Sequence, residues 1–75
     1  MDNIVKQLRV SKEFDLTQEE LAKALGVSRH TIMSIENGGN TTGEIVLKIA
    51  NFFDKDPREI FFTNNVARSL RKRVG

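Results

Sequence analysis

An all-α fold is what this chain of 75 residues predicts, and three observations predict it. Apolar residues recur at three- and four-residue spacing along the body of the chain, without the sustained two-residue alternation of a half-buried strand. Three capping signals punctuate that pattern, each a Thr or Asp followed three residues later by Glu: Thr17 with Glu20, Thr41 with Glu44, and Asp56 with Glu59. A glycine, Gly26, interrupts "LTQEELAKALGVSRHTIMSIENG" between two stretches that are each helical in pattern.

The first helix is predicted over residues 3–14, with Ile4, Leu8 and Ser11 inward, Val5 beside them, and Asp15 as its end. The second begins at Thr17, whose hydroxyl can accept from an orphan backbone amide while Glu20 reaches back to the Thr17 amide; Leu16 can staple onto Leu21. Its inner face is Leu21, Ala22 and Leu25. Gly26 then reads as a left-handed cap, because without a Cβ it meets no clash at positive φ. Ser28 caps the third helix, residues 28–37, which turns Ile32 and Ile35 inward, with Val27 and Ile32 as a second staple. After the polar loop "NGGNTTG", Thr41 is the predicted cap of a helix running to Phe53, with Val46, Ile49, Ala50 and Phe53 as its core stripe. Asp56 and Pro57 open a short fifth helix, Pro57 standing at the first helical position where its missing N–H costs nothing. That helix carries Ile60 and one of Phe61 or Phe62 inward.

A chain of this length builds one small core, so a large catalytic cleft is not expected. The domain is read over residues 1–64, with 65–75 as a basic C-terminal tail. Charge divides along the same line. Residues 1–65 hold eight Lys and Arg against ten Asp and Glu, whereas the last ten hold Arg68, Arg71, Lys72 and Arg73 and no acid. An acidic body argues against a blanket of non-specific phosphate contacts, and the tail is suited to phosphate or another acidic surface. There is no cysteine and only one histidine, His30, which excludes disulfides and thiolate metal sites and leaves no metal or cofactor to expect. No apolar run approaches the roughly 20 residues that span a bilayer, and "MDNIVKQLRV" is no signal peptide. A soluble, cytoplasmic protein without membrane contact is expected.

Two short helices joined by a glycine-centred turn describe a helix-turn-helix. Ala22 is small where the two axes approach, and Val27, Ile32 and Ile35 fill the wedge between them. The third helix then projects its outer face from a rigid support. A helix fits the major groove of DNA, about 12 Å wide, whose floor presents a distinct hydrogen-bonding pattern for each base pair. Arg29 can donate two bonds to a guanine, His30, Ser34 and Asn37 can donate or accept, and Met33 can touch a thymine methyl. Gln18 stands in the first turn of the supporting helix, where backbone amides and the helix dipole favour a phosphate. His30 has no carboxylate or nucleophile at a recognisable spacing, so no catalytic residue and no enzymatic activity are predicted.

"TQEELAKALGVSRHTIMSIENG" resembles the helix-turn-helix of the phage repressor and Cro-like, or XRE-type, family of transcriptional regulators, and the likeness continues through "EIVLKIANFFDKDPREIF". The structural positions Leu21, Ala22, Gly26, Val27, Ile32 and Ile35 match together. The resemblance implies a compact five-helix, lambda-repressor-like DNA-binding domain that works as a two-fold dimer. It also implies that Gln18 and Ser28 contact phosphate or base, that Arg29, His30 and Ser34 read bases, and that Asn37, Asn40 and Thr41 contact the DNA backbone. Glu36 resembles a family glutamate that pairs with a first-helix residue, for which Arg9, Ser11 and Lys12 are candidates. The sequence departs from the pattern in three places. "LRVSKEFDLTQ" is about two residues longer than usual, "GGNTT" lacks the common proline and base, and Lys55 replaces an apolar residue.

The phenylalanine pairs Phe52/Phe53 and Phe61/Phe62 each leave one ring to face away from the core, and exposed aromatics mark interfaces. Ile45, Phe52, Phe62 and Val66 are the candidate dimer interface, unless the tail folds back over them. Val66, Leu70 and Val74 recur every four residues, as on a helix. The reading is a sequence-specific regulator of double-stranded DNA, a repressor in the first instance, acting as a homodimer on a palindromic operator with a protein co-regulator as a further partner. Its rivals are an antitoxin-like autoregulator and a protein-interaction module on the same scaffold.

Overall fold

Residues 2–62 are described by the structure, a computed structural model. Five helices follow one another: α1 (Val5–Val10), α2 (Gln18–Leu25), α3 (Arg29–Glu36), α4 (Gly43–Phe53) and α5 (Pro57–Ile60). The all-α expectation holds, with one small addition. Two-residue strands, β1 (Asp2–Asn3) and β2 (Phe61–Phe62), pair antiparallel and bring the two ends of the described chain together. Two residues are too few to show an alternation, which is why the sequence does not announce them.

Two of the three locally coded helix starts form as read. Thr17 and Glu20 make a reciprocal capping box at the start of α2, and Asp56 and Glu59 make another at α5, with Pro57 in its first turn. Leu21, Ile32, Ile35, Ile49, Ile60 and Val5 are completely buried and form the centre of the core. Of the final phenylalanines, Phe61 points inward and Phe62 remains exposed.

Two helix starts and one helix end differ from the sequence reading. Residues 3–14 are not one helix. Asn3 is drawn into the strand pair, the Ile4 amide donates to the Ile60 carbonyl at 3.0 Å, and α1 begins only at Val5. It stops at Val10 because Ser11 turns extended, so the inner face is Val5 and Arg9, with Ile4 and Leu8 only partly buried. The longer connection forms a turn in which the Phe14 and Asp15 amides both donate to the Ser11 carbonyl, with Asp15 at φ 47°. That turn inserts Phe14, whose ring meets Phe53 edge-on at 4.7 Å and Phe52 at 5.8 Å. Phe52, expected to face outward, is consequently half-buried in an aromatic trio.

At α4 the cap is Thr42, not Thr41. Thr42 is extended and accepts from the Ile45 amide at 3.3 Å, one residue later than read, so Glu44 closes no capping box and lies 3.8 Å from Lys48 instead. The Thr41 hydroxyl oxygen is buried without a hydrogen-bond partner. Among the described residues no helix is long and apolar enough to cross a membrane. The boundary proposed at residue 64 and the assignments to Val66, Leu70, Val74, Arg68, Arg71, Lys72 and Arg73 lie outside the described residues.

Candidate nucleic-acid interface

The joint between α2 and α3 is built on Gly26. It adopts φ 71°, and its amide donates to the last turn of α2, while the Val27 amide returns to the Ala22 carbonyl at 3.0 Å. A Cβ added at Gly26 would meet nothing within 4 Å. The requirement for glycine is therefore conformational rather than steric, and it is the left-handed backbone that sets the angle between the helices. Ala22 is buried at the crossing, and Val27 packs against the core beside it.

Ser28 starts α3 as its cap. Its Oγ accepts from the Thr31 amide at 3.1 Å and lies 2.9 Å from the Thr31 hydroxyl, so this side chain is occupied in holding the helix. Ile32 and Ile35 face the core, which turns Arg29, His30, Met33 and Asn37 to solvent; Ser34 is half-buried. Ser34 lies against Gly39, whose amide donates to the Ser34 carbonyl at 2.8 Å. A Cβ on Gly39 would stand 2.8 Å from that carbonyl oxygen and collide with the Ser34 Oγ. The close approach folds the chain back beneath the end of α3, with Gly38 at φ 87° and Asn40 exposed beyond it.

Three elements are tied together behind this face. Arg9 of α1 is buried, and its Nε donates to Glu36 Oε2 at 2.6 Å while Nη2 donates to Oε1 at 3.1 Å. Its Nη1 donates to the Leu16 carbonyl at 2.8 Å, and the Leu16 amide returns to the Arg9 carbonyl at the same distance. Of the three candidates for the partner of Glu36, Arg9 is the one. The Ser11 hydroxyl instead donates to the Leu8 carbonyl, and Lys12 is exposed. Gln18 joins the pair, its Nε2 donating to Glu36 Oε1 at 3.2 Å. An internal pair of this kind is stable only with all its hydrogen-bonding capacity engaged, and here the loop carbonyl and the Gln18 amide help to supply that.

The Gln18 and Arg29 side chains border one shallow groove between the starts of α2 and α3, which Asp15, Thr17 and Glu19 also line. Among the described residues, its rim thus sets the exposed Arg29 guanidinium beside the carboxylates of Asp15 and Glu19. Nearby, the Thr17 amide and hydroxyl bonds hold the Glu20 carboxyl below the ordinary value of 4.5. Of the residues expected to form the site, Arg29, His30, Met33, Asn37 and Asn40 are exposed on or beside α3, Ser34 is half-buried, Gln18 is half-buried and bonded to Glu36, and the hydroxyls of Ser28 and Thr41 are turned to structural use or buried. Ile45 packs against the core edge and Phe62 pairs with Asp2 in the strand ladder. Sequence reasoning missed Gly39, marked only by a second consecutive glycine after a helix, and Asn3, marked only by an Asn just before the first helix.

A protein-family model described as "Helix-turn-helix" matches residues 5–60. A protein of Methanocaldococcus jannaschii described as an uncharacterized HTH-type transcriptional regulator is 50% identical over 48 residues, which is 63% of this chain and 73% of that protein. One of the same description from Archaeoglobus fulgidus is 41% identical over 58 residues, covering 76% of this chain and 79% of the relative. A third, the YgzD protein of Bacillus subtilis, is 35% identical over 63 residues, covering 83% and 92%.

Proposed function

We propose that this chain, which belongs to the helix-turn-helix family, is a DNA-binding transcriptional regulator without enzymatic activity. The observation that carries the reading is the outer face of α3, where Arg29, His30, Met33 and Asn37 stand exposed on a helix whose joint, inner face and far end are all anchored. In detail, α3 enters the major groove. Arg29 takes a guanine through O6 and N7, Met33 meets a thymine methyl, and His30 and Ser34 complete the base contacts. Gln18 and the first amides of α2 take a phosphate on the flank, and Asn37 and Asn40 take one beyond the end of α3. Phosphate contacts from the body are few, because Asp15 and Glu19 border the groove beside Arg29. The basic residues Arg68, Arg71, Lys72 and Arg73 are the natural source of the missing charge.

Two copies related by a two-fold axis would set their reading helices about 34 Å apart on a palindromic operator. Phe62, exposed at the strand pair, is the contact we assign to that dimer, and blocking a promoter is the action that needs no further part. Selection of bound duplexes from a random pool at two salt concentrations tests the reading. Enrichment of a two-fold motif supports it, and absence of any enriched sequence at low salt overturns it in favour of a protein-interaction module. Arg29→Ala should relax the preference at one base pair per half-site by about 1–3 kcal/mol and leave affinity for random duplex nearly unchanged.

A further inference from the structure

The far end of α3 is held by a side chain 32 positions away in sequence. Asn3 Nδ2 donates to the Ile35 carbonyl at 2.8 Å, and Asn3 Oδ1 accepts from the Val5 amide at 3.1 Å. The two backbone partners fix which way the amide points, since a carbonyl can only accept and an N–H can only donate. The same Ile35 carbonyl accepts from the Gly38 amide at 3.0 Å, so Asn3 bonds to the very group on which the α3 C-terminal turn closes. The backbone of Asn3 is meanwhile paired with Phe61, and the neighbouring Ile4 amide donates to Ile60. One residue thereby joins three things: the start of α1, the pair formed by β1 and β2, and the end of the helix that carries Arg29, His30 and Met33.

We propose that Asn3 is a positioning residue for α3, and that the strand pair couples whatever engages Phe62 to the orientation of the helix end and the loop from Asn37 to Thr42. The physical reason is the shortness of the path. A displacement of β2 moves β1 through the ladder, and the Asn3 side chain, bonded directly to the Ile35 carbonyl and the Val5 amide, carries it to the end of α3. The other hold on this end, the Arg9–Glu36 pair, grips the residue after Ile35 and ties it to α1, whereas the Asn3 bond ties the Ile35 carbonyl to β1. Binding of a second copy at Phe62 therefore favours the docked helix end, and prying the strands apart releases it. The consequence for DNA rests on the function proposed above, but the coupling itself does not.

Amide hydrogen exchange of the intact protein decides the coupling without any DNA. Asn3→Asp keeps an acceptor for the Val5 amide and places a carboxylate against the Ile35 carbonyl, so it separates capping of α1 from the hold on α3. Exchange at Gly38 and Gly39 should rise about three- to tenfold, the weight of one lost hydrogen bond, while protection of Leu21 and Ile49 in the core stays level. Phe62→Pro disrupts the ladder at its outer pair, and Phe61, at φ −114° and ψ 133°, already has the backbone that a residue before proline prefers. It should raise exchange at the same two amides, and the double variant should exceed the larger single effect by little. Unchanged exchange at Gly38 and Gly39 in Asn3→Asp would overturn the positioning role. Independent, multiplying effects in the double variant would overturn the coupling. With the duplex selected above, Asn3→Asp should lower affinity severalfold and leave binding to random duplex level. If the unaltered protein binds no duplex, the DNA reading fails while the exchange result stands.

Discussion

The two ends of α3 are secured by opposite means. Its first turn is held by its own neighbours: Gly26 sets the entry angle, and Ser28 caps the helix through the amide of Thr31, three residues on. Its last turn is held from a distance. Glu36 is gripped by Arg9, 27 positions earlier, and Ile35 by Asn3, 32 positions earlier, while the Ser34–Gly39 turn is local. A local cap forms with the helix and is tolerant of the rest of the fold. A distant hold exists only once the domain has closed, and so reports on whether it has.

That contrast can be broken most severely at the distant end. Arg9→Ala leaves the Glu36 carboxylate buried without its cation and should cost about 3–5 kcal/mol, read as a shift in urea midpoint. Joint replacement by Met at position 9 and Leu at position 36 should recover most of that loss, because no charge is then stranded. A double variant as unstable as Arg9→Ala would show that the guanidinium bond to Leu16, rather than the ion pair, secures the turn. Gly39→Ala comes next, since its Cβ would have to displace the Ser34 carbonyl, which is backbone and yields little. About 1–3 kcal/mol is expected in thermal unfolding, with loosening concentrated at Ser34 and Asn37.

The near end should yield less. Gly26→Ala faces open space and pays only for a left-handed backbone, about 1–2 kcal/mol by calorimetry, and Gly26→Asn should cost less because Asn tolerates that region. Ser28→Ala should cost about 1 kcal/mol, with helix content of the remaining domain unchanged by circular dichroism. The smallest effect is one of pH at the start of α2. Because the bond to the Thr17 amide holds the Glu20 carboxyl below 4.5, its contribution is present above that pH and is lost as pH falls through the lower folded-state value. Glu20→Gln, which keeps an acceptor without titrating, should flatten this acid limb in pH-dependent unfolding, and a limb of unchanged steepness would assign the loss to other carboxylates.

The same division governs what could be read beforehand. Thr17 with Glu20, Gly26, Ser28, and Asp56 with Pro57 and Glu59 were legible because each acts within four residues of itself. Leu21, Ile32, Ile35, Ile49 and Ile60 were legible because helical periodicity declares an inner face. Both bounds of α1 were hidden, since the pairing of Asn3 with Phe61 at its start and the insertion of Phe14 beside Phe52 and Phe53 after its end are decided across the whole chain. Thr41 and Thr42 are chemically alike, and only the path of the loop from Gly39 selects which one caps α4.

On its own, then, the sequence determined an all-α helix-turn-helix with its joint at Gly26 and its outward residues on the third helix, because caps, turns and periodicity are short-range physics. The tertiary structure alone decided that Arg9 rather than Ser11 or Lys12 holds Glu36, that Gln18 shares that carboxylate, and that Asn3 closes the end of the helix. Those choices depend on which distant groups reach bonding distance once the core has formed, and no local spacing records that.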